Sequence, residues 1–140
     1  MIGFFPYLYF DGNCREAFTL YHEIFGGGDL IIMSGSDAPP DAGIPEDKMD
    51  QVMHASLKIG NALLMASDSY EEEPPDMTGM FVHFSTQDLG QATSVFAALS
   101  EGGEILQEGR AEFWTPFFGI VIDRFGTPWH VSAEPSEGDG

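Results

Sequence analysis

The chain has 140 residues, 43% of them apolar and 13% aromatic, enough for the core of one ordinary domain and too apolar for a disordered one. Five lysines and arginines face 23 acidic residues, a formal net charge of -18; such a surface repels phosphate backbones and excludes nucleic acid as a natural partner. A single cysteine, Cys14, excludes an intramolecular disulfide and suits a reducing, cytoplasmic setting.

The opening stretch MIGFFPYLYFDG is apolar, but it has no basic flank and is broken by Pro6 and Asp11. It is too short to span a bilayer and reads as a strand, not as a leader or anchor. Asn13 then caps a helix near residues 13–26, with Cys14 in its first turn as a half-buried structural thiol. Apolar residues recur at helical spacing through AFTLYHEIF, and the glycines of FGGG stop the helix. His22 lies on that helix surface. SDAPPDAGIPEDKMD reads as an acidic loop, and ASLKIGNALLMAS as two strands joined at Gly60. DSYEEEPPDMTG reads as a linker, over about residues 71–78.

The second half repeats the first. Shifted by 75 positions, AFTLYHEIFGGGDLI falls on ATSVFAALSEGGEIL, and Asn13 falls on Asp88, the N-cap of a helix near 88–101. With a shift near 66, ASLKIGNALLMAS falls on GIVIDRFGTPWHVS, whose turn is at Gly126. Each half then reads strand, helix, strand, strand, strand. The expected fold is α+β: two βαβββ modules of about 1–70 and 79–134 in a single domain, followed by a flexible acidic tail at 135–140. Curled mixed sheets would pair across a pseudo-twofold axis, with helices outside and a cleft within.

The stretches PYLYFDGNCREAFTLYHEIFGG, MHASLKIGNALLMASD and FWTPFFGIVIDRFGTPWHVS span nearly the whole chain. They resemble the vicinal oxygen chelate superfamily (glyoxalase I, bleomycin-resistance proteins and extradiol dioxygenases), and within it the PhnB-like branch. That branch has also been labelled methyltransferase-like, but no S-adenosylmethionine site is recognisable in this sequence. Metal-dependent members take ligands from the first and last strands of each module. By resemblance, these places fall near Phe5 and Met80, at Leu64 give or take one residue, and on His130. Three of the four side chains are poor ligands for a divalent ion, so no metal cofactor is expected. A one-residue slip in strand register would exchange faces. The alternative is therefore a divalent-metal lyase, isomerase or dioxygenase with displaced ligands drawn from His54, Asp68, His83 and His130.

Without a metal, His130 is either a hydrogen-bonded core histidine or a site residue able to move a proton. Strand alternation puts it and Ser132 on one face, with Trp129 and Val131 on the other. Tyr7, Tyr9 and Trp114 are the candidate aromatic lining, with Glu112 as a charge for a cationic group. No P-loop, GxGxxG, CxxC or nucleophile motif occurs. The expected protein is a small-molecule binder acting as a homodimer. Its ligand would be aromatic or cationic, with no membrane or nucleic-acid partner.

Overall fold

In the first unit, Met1–Asp76, an exposed, apolar lead-in reaches β1 (Tyr7–Phe10), followed by α1 (Cys14–Ile24) and β2 (Asp29–Ser34). Three short helical turns then lead to β3 (Val52–Ile59) and β4 (Ala62–Asp68). The second unit, Met77–Gly140, holds β5 (Val82–Thr86), α2 (Leu89–Ser100), β6 (Glu104–Glu112), β7 (Thr115–Ile122) and β8 (Pro128–Ala133). This computed structural model describes residues 2–69 and 71–135. The expected acidic tail beyond Pro135 lies outside the described residues. The acidic stretch at 71–76 belongs to the first unit.

Both units build the same mixed sheet. Strand order is β1-β4-β3-β2 in one and β5-β8-β7-β6 in the other. First and last strands pair parallel, and the remaining neighbours pair antiparallel. Among the described residues the fold is α+β, with one α-helix to each four-stranded sheet. Turns at Gly60 (φ 57) and Gly126 (φ 92) close the last two strands of each unit in a left-handed conformation that glycine adopts without strain.

One face of each sheet carries the helix. In the first unit, α1 buries Cys14, Ala17, Phe18 and Tyr21 at spacings of three and four, the stripe of an amphipathic helix. The sheet answers with Leu8, Phe10, Ala55, Leu57 and Ala66, all buried, and Phe10 meets Phe18 edge-on at 6.2 Å. In the second unit, Ala92, Val95, Phe96 and Leu99 of α2 are buried with Phe117, Val121, Trp129 and Val131 of the sheet. The Phe96 ring lies so close over Gly119 that a β-carbon there would come within 2.5 Å of it. Trp129 is 2% exposed and donates its indole N–H to Asp123 Oδ2 at 2.9 Å. Asp123 Oδ1 accepts from the amides of Phe125 and Thr127, so this carboxylate closes the β7–β8 turn.

Asp68 does similar work in the first unit. It is 2% exposed; Oδ1 accepts the Cys14 amide at 3.0 Å, where α1 begins, and Oδ2 the Val52 amide at 2.8 Å, where β3 begins. One buried carboxylate thus joins the last strand to two other elements. Burial, reinforced by the Asp68 charge, pushes the Cys14 thiol up to about 12, so it stays a protonated structural group. Replacing Asp68 by Ala strands two buried amide donors. The expected loss is about 3 kcal/mol, with Asp68→Asn losing roughly half of that, measured as a shift in urea midpoint. A loss below about 0.5 kcal/mol for Asp68→Ala would refute the tie.

Candidate functional site

The sheet face opposite each helix carries the polar and aromatic side chains. In the second unit, β5 and β8 run parallel with His83 beside His130 and Ser85 beside Ser132, while β7 sets Phe118 beside Ser132 and Ile120 beside His130. The rings converge. Phe81 stacks on His130 at 4.5 Å between centroids, Phe118 meets His130 edge-on at 5.2 Å, and Trp114, in the β6–β7 turn, meets Phe118 at 4.9 Å. His83 Nδ1 lies 3.4 Å from His130 Nδ1, and His83 Nε2 lies 2.9 Å from the Ser132 hydroxyl oxygen. Trp114 is 47% exposed, so an outer aromatic surface stays open to a ligand. His130 is half-buried, and desolvation, followed by the neighbouring His83, lowers its pKa below the ordinary histidine value.

In the first unit the corresponding face carries Tyr7, Tyr9 and His54. The Tyr7 hydroxyl sits 3.3 Å from His54 Nδ1, and the two tyrosine rings are 5.4 Å apart. Tyr9 also lines a recess of about 870 Å³ with Ser69, Glu71, Glu72, Glu73 and Pro74. Glu112 is already engaged, accepting from Arg110 Nε at 2.9 Å.

Asp68 does not join His54. It lies on the helix-covered face with both oxygens accepting backbone amides, because its strand partner Phe10 also points into the core. Of the displaced metal ligands, the second unit brings His83 and His130 together, and the first keeps His54 and Asp68 on opposite faces. Within either unit, no three described His, Cys, Asp or Glu side chains gather as a metal site. His22, on the α1 surface, bonds the Gly28 carbonyl from Nε2 at 3.1 Å.

Register also corrects the ligand places. The Ser69 amide donates to the Phe10 carbonyl, and the Glu134 amide to the Thr86 carbonyl, at the same point of each sheet. These equivalent bonds give shifts of 76 for the first strand and 65 for the last. The helix starts keep 75, since Ala17 donates to Asn13 and Ala92 to Asp88. The turn before α1 is thus one residue longer than the turn before α2. The partner of Phe5 is consequently Phe81, not Met80, and that of His130 is Met65, not Leu64. His83 and Phe81 both contact His130 on this face.

Each unit carries the strand, helix, strand, strand, strand order expected of the vicinal oxygen chelate fold. Distant structures described as glyoxalase/bleomycin resistance proteins, from Albidiferax ferrireducens (12% identity, TM-score 0.64) and Burkholderia phytofirmans (8%, 0.58), share the fold. Residues 3–132 match the model of the family described as 3-demethylubiquinone-9 3-methyltransferase, and the chain belongs to this family. Protein PA1353 from Pseudomonas aeruginosa is 37% identical, with a TM-score of 0.87 over 97% of this chain and 100% of that one. A putative 3-demethylubiquinone-9 3-methyltransferase, PhnB protein, from Bacillus cereus is 22% identical, with a TM-score of 0.75 over 94% of this chain and 99% of its own. Protein YjdN of Escherichia coli is 27% identical across 91% of this chain and 92% of its own.

The lowered His130 pKa has a measurable consequence. A folded-state pKa below the unfolded value of 6.5 makes the unfolded chain bind more protons. The contribution is complete above about pH 6.5 and is lost as pH falls through that value toward the folded pKa. Melting temperatures of the protein and of His130→Gln should therefore converge between about pH 7.5 and 5.5. A constant difference would show that His130 is not held in its neutral form.

Proposed function

We propose that the protein binds a planar organic molecule on the open face of its second unit, with no resident metal ion. The observation that carries this reading is the convergence of Phe81, Trp114 and Phe118 around His130, with Trp114 half exposed. Aromatic rings in offset or edge-on contact offer dispersion and quadrupole attraction to another flat ring. The family description names 3-demethylubiquinone, a ring compound bearing oxygen. We take from it the kind of ligand and leave methyl transfer unassigned. This reading rests on stacking and assigns no electrostatic role to Glu112, whose carboxylate pairs with Arg110.

Trp114 is the exposed reporter, while Trp129 is buried. Titration with a panel of flat bicyclic compounds should quench tryptophan fluorescence, and Trp114→Leu should weaken binding at least about tenfold. Binding that is indifferent to Trp114, with the fold intact, would refute this placement of the site.

The second reading is a divalent-metal enzyme, favoured by the approach of two histidine nitrogens. Elemental mass spectrometry on protein purified without chelators separates the two: the binding reading expects well under one equivalent, and near one equivalent that His130→Ala removes would install the metal enzyme. The proposal includes a homodimer, supported by the exposed Ile31 and Met33 on the open face of edge strand β2 and by exposed Ile105 and Leu106 on edge strand β6. Light scattering at twice 15.3 kDa is expected; a monomer mass across micromolar concentrations would exclude it. Among the described residues no helix is long and apolar enough to cross a membrane.

A further inference from the structure

Resting on the reading of the second-unit face as a binding surface, we infer that Ser132, His83 and His130 form one hydrogen-bond relay whose outer end is an N–H donor at His130 Nε2, and that this donor selects a neutral planar ligand carrying a carbonyl oxygen.

The relay has two contacts. Ser132 Oγ and His83 Nε2 are 2.9 Å apart, and the two Nδ1 atoms are 3.4 Å apart. A neutral imidazole carries one proton, on one of its two nitrogens. Whichever way the relay is arranged, the two rings must therefore hold opposite tautomers. If Ser132 donates to His83 Nε2, then His83 carries its proton on Nδ1 and donates to His130 Nδ1. His130 must in turn carry its own proton on Nε2. If His83 instead donates from Nε2 to Ser132, every proton moves and His130 Nε2 is bare.

Ser132 decides between them. Its residue is only 4% exposed, and the hydroxyl's one described partner is His83. A buried hydroxyl left without an acceptor strands its only proton, whereas one left without a donor keeps only spare lone pairs. The first is the costlier loss, so Ser132 donates. Among the described residues, Nε2 of His130 has no hydrogen-bond partner, which leaves its N–H for the ligand.

The surroundings set the ligand's charge. The strands flanking β8 place His83, Phe118 and Ile120 around His130, and no carboxylate. Further along, Glu134 is held by Ser85 at 2.8 Å, and Glu112 at the other edge by Arg110. A neutral donor inside a chain of net charge -18 gives an anion little reason to approach. A neutral carbonyl on a flat ring meets both the donor and the neighbouring rings of Phe81 and Phe118.

Two measurements test this separately. Long-range nitrogen–proton NMR of the free protein at about pH 8 reads each tautomer. His83 should be protonated on Nδ1 and His130 on Nε2, and Ser132→Ala should change the His83 pattern. The Nε2–H form on His83 would overturn the relay, as would tautomers that ignore Ser132→Ala. The ligand half uses acetonaphthone and isopropylnaphthalene, two rings of like shape with and without the carbonyl. Acetonaphthone should bind at least about tenfold more tightly, and His130→Phe, which keeps a ring and removes the donor, should erase that preference. Equal affinities, or a preference that survives His130→Phe, would overturn the carbonyl assignment. Binding of neither probe would overturn the binding-surface reading and the carbonyl assignment with it, while the tautomers alone would still decide the relay.

Discussion

The parallel pairing of first and last strands in each unit is the constraint on which the rest of the structure depends. Parallel partners in register point their side chains to the same side, and alternate residues along each strand face opposite sides. Once His83 pairs with His130, their imidazoles must share a face, and Trp129 and Val131 must go to the other. The same rule sets Tyr7 beside Met65 and sends Phe10 and Asp68 inward together. The antiparallel β7–β8 pairing then adds Phe118 next to Ser132, completing the ring cluster.

The two faces divide the work. Helix-side acids are consumed by structure: Asp68 and Asp123 are nearly solvent-free, and each gathers N–H donors from elements that must stay joined. A carboxylate buried on the helix side and committed to N–H donors in this way is not presented to an ion or a substrate. Cys14, next to one of them, is held protonated for the same reason, since burial beside a negative charge disfavours the thiolate. What chemistry the chain has is left to the open faces, where the groups are imidazoles, hydroxyls and aromatic rings. The large acidic surplus of the sequence therefore says more about solvent and field than about a reacting group.

Much of the fold could be read directly from the residues. Helical spacing in AFTLYHEIF and glycine after it predict α1, and the internal repeat predicts α2 and the strand sequence around it. Face assignment was less legible. The shift read from the two helices is 75, but one extra residue in the turn before α1 makes the strand shift 76. Because strands have a period of two, that single residue exchanges Met80 for Phe81, and a last-strand shift of 65 in place of 66 exchanges Leu64 for Met65. Turn lengths next to Gly12 and Gln87 carried the warning, though only pairing resolves it. The Ser132–His83 contact spans 49 positions, and the Arg110–Glu112 pair depends on an irregular β6. Neither leaves a periodic trace in the sequence.

The corrected register also explains why the two copies of one design hold different chemistry. Tyr7 and His83 occupy equivalent positions, as do Met65 and His130, His54 and Phe118, and Ser67 and Ser132. A tyrosine extends its hydroxyl beyond the reach of an imidazole, so Tyr7 contacts His54 on β3, past the intervening strand β4. His83 is shorter and contacts the adjacent strand, reaching Ser132 with one nitrogen and His130 with the other. In the first unit Met65 stands where His130 would accept that second contact, and a thioether neither donates nor titrates. The proton-carrying chain can therefore form only in the second unit. One residue pair, His83 with His130 in place of Tyr7 with Met65, turns a shared aromatic face into one that presents a directed N–H.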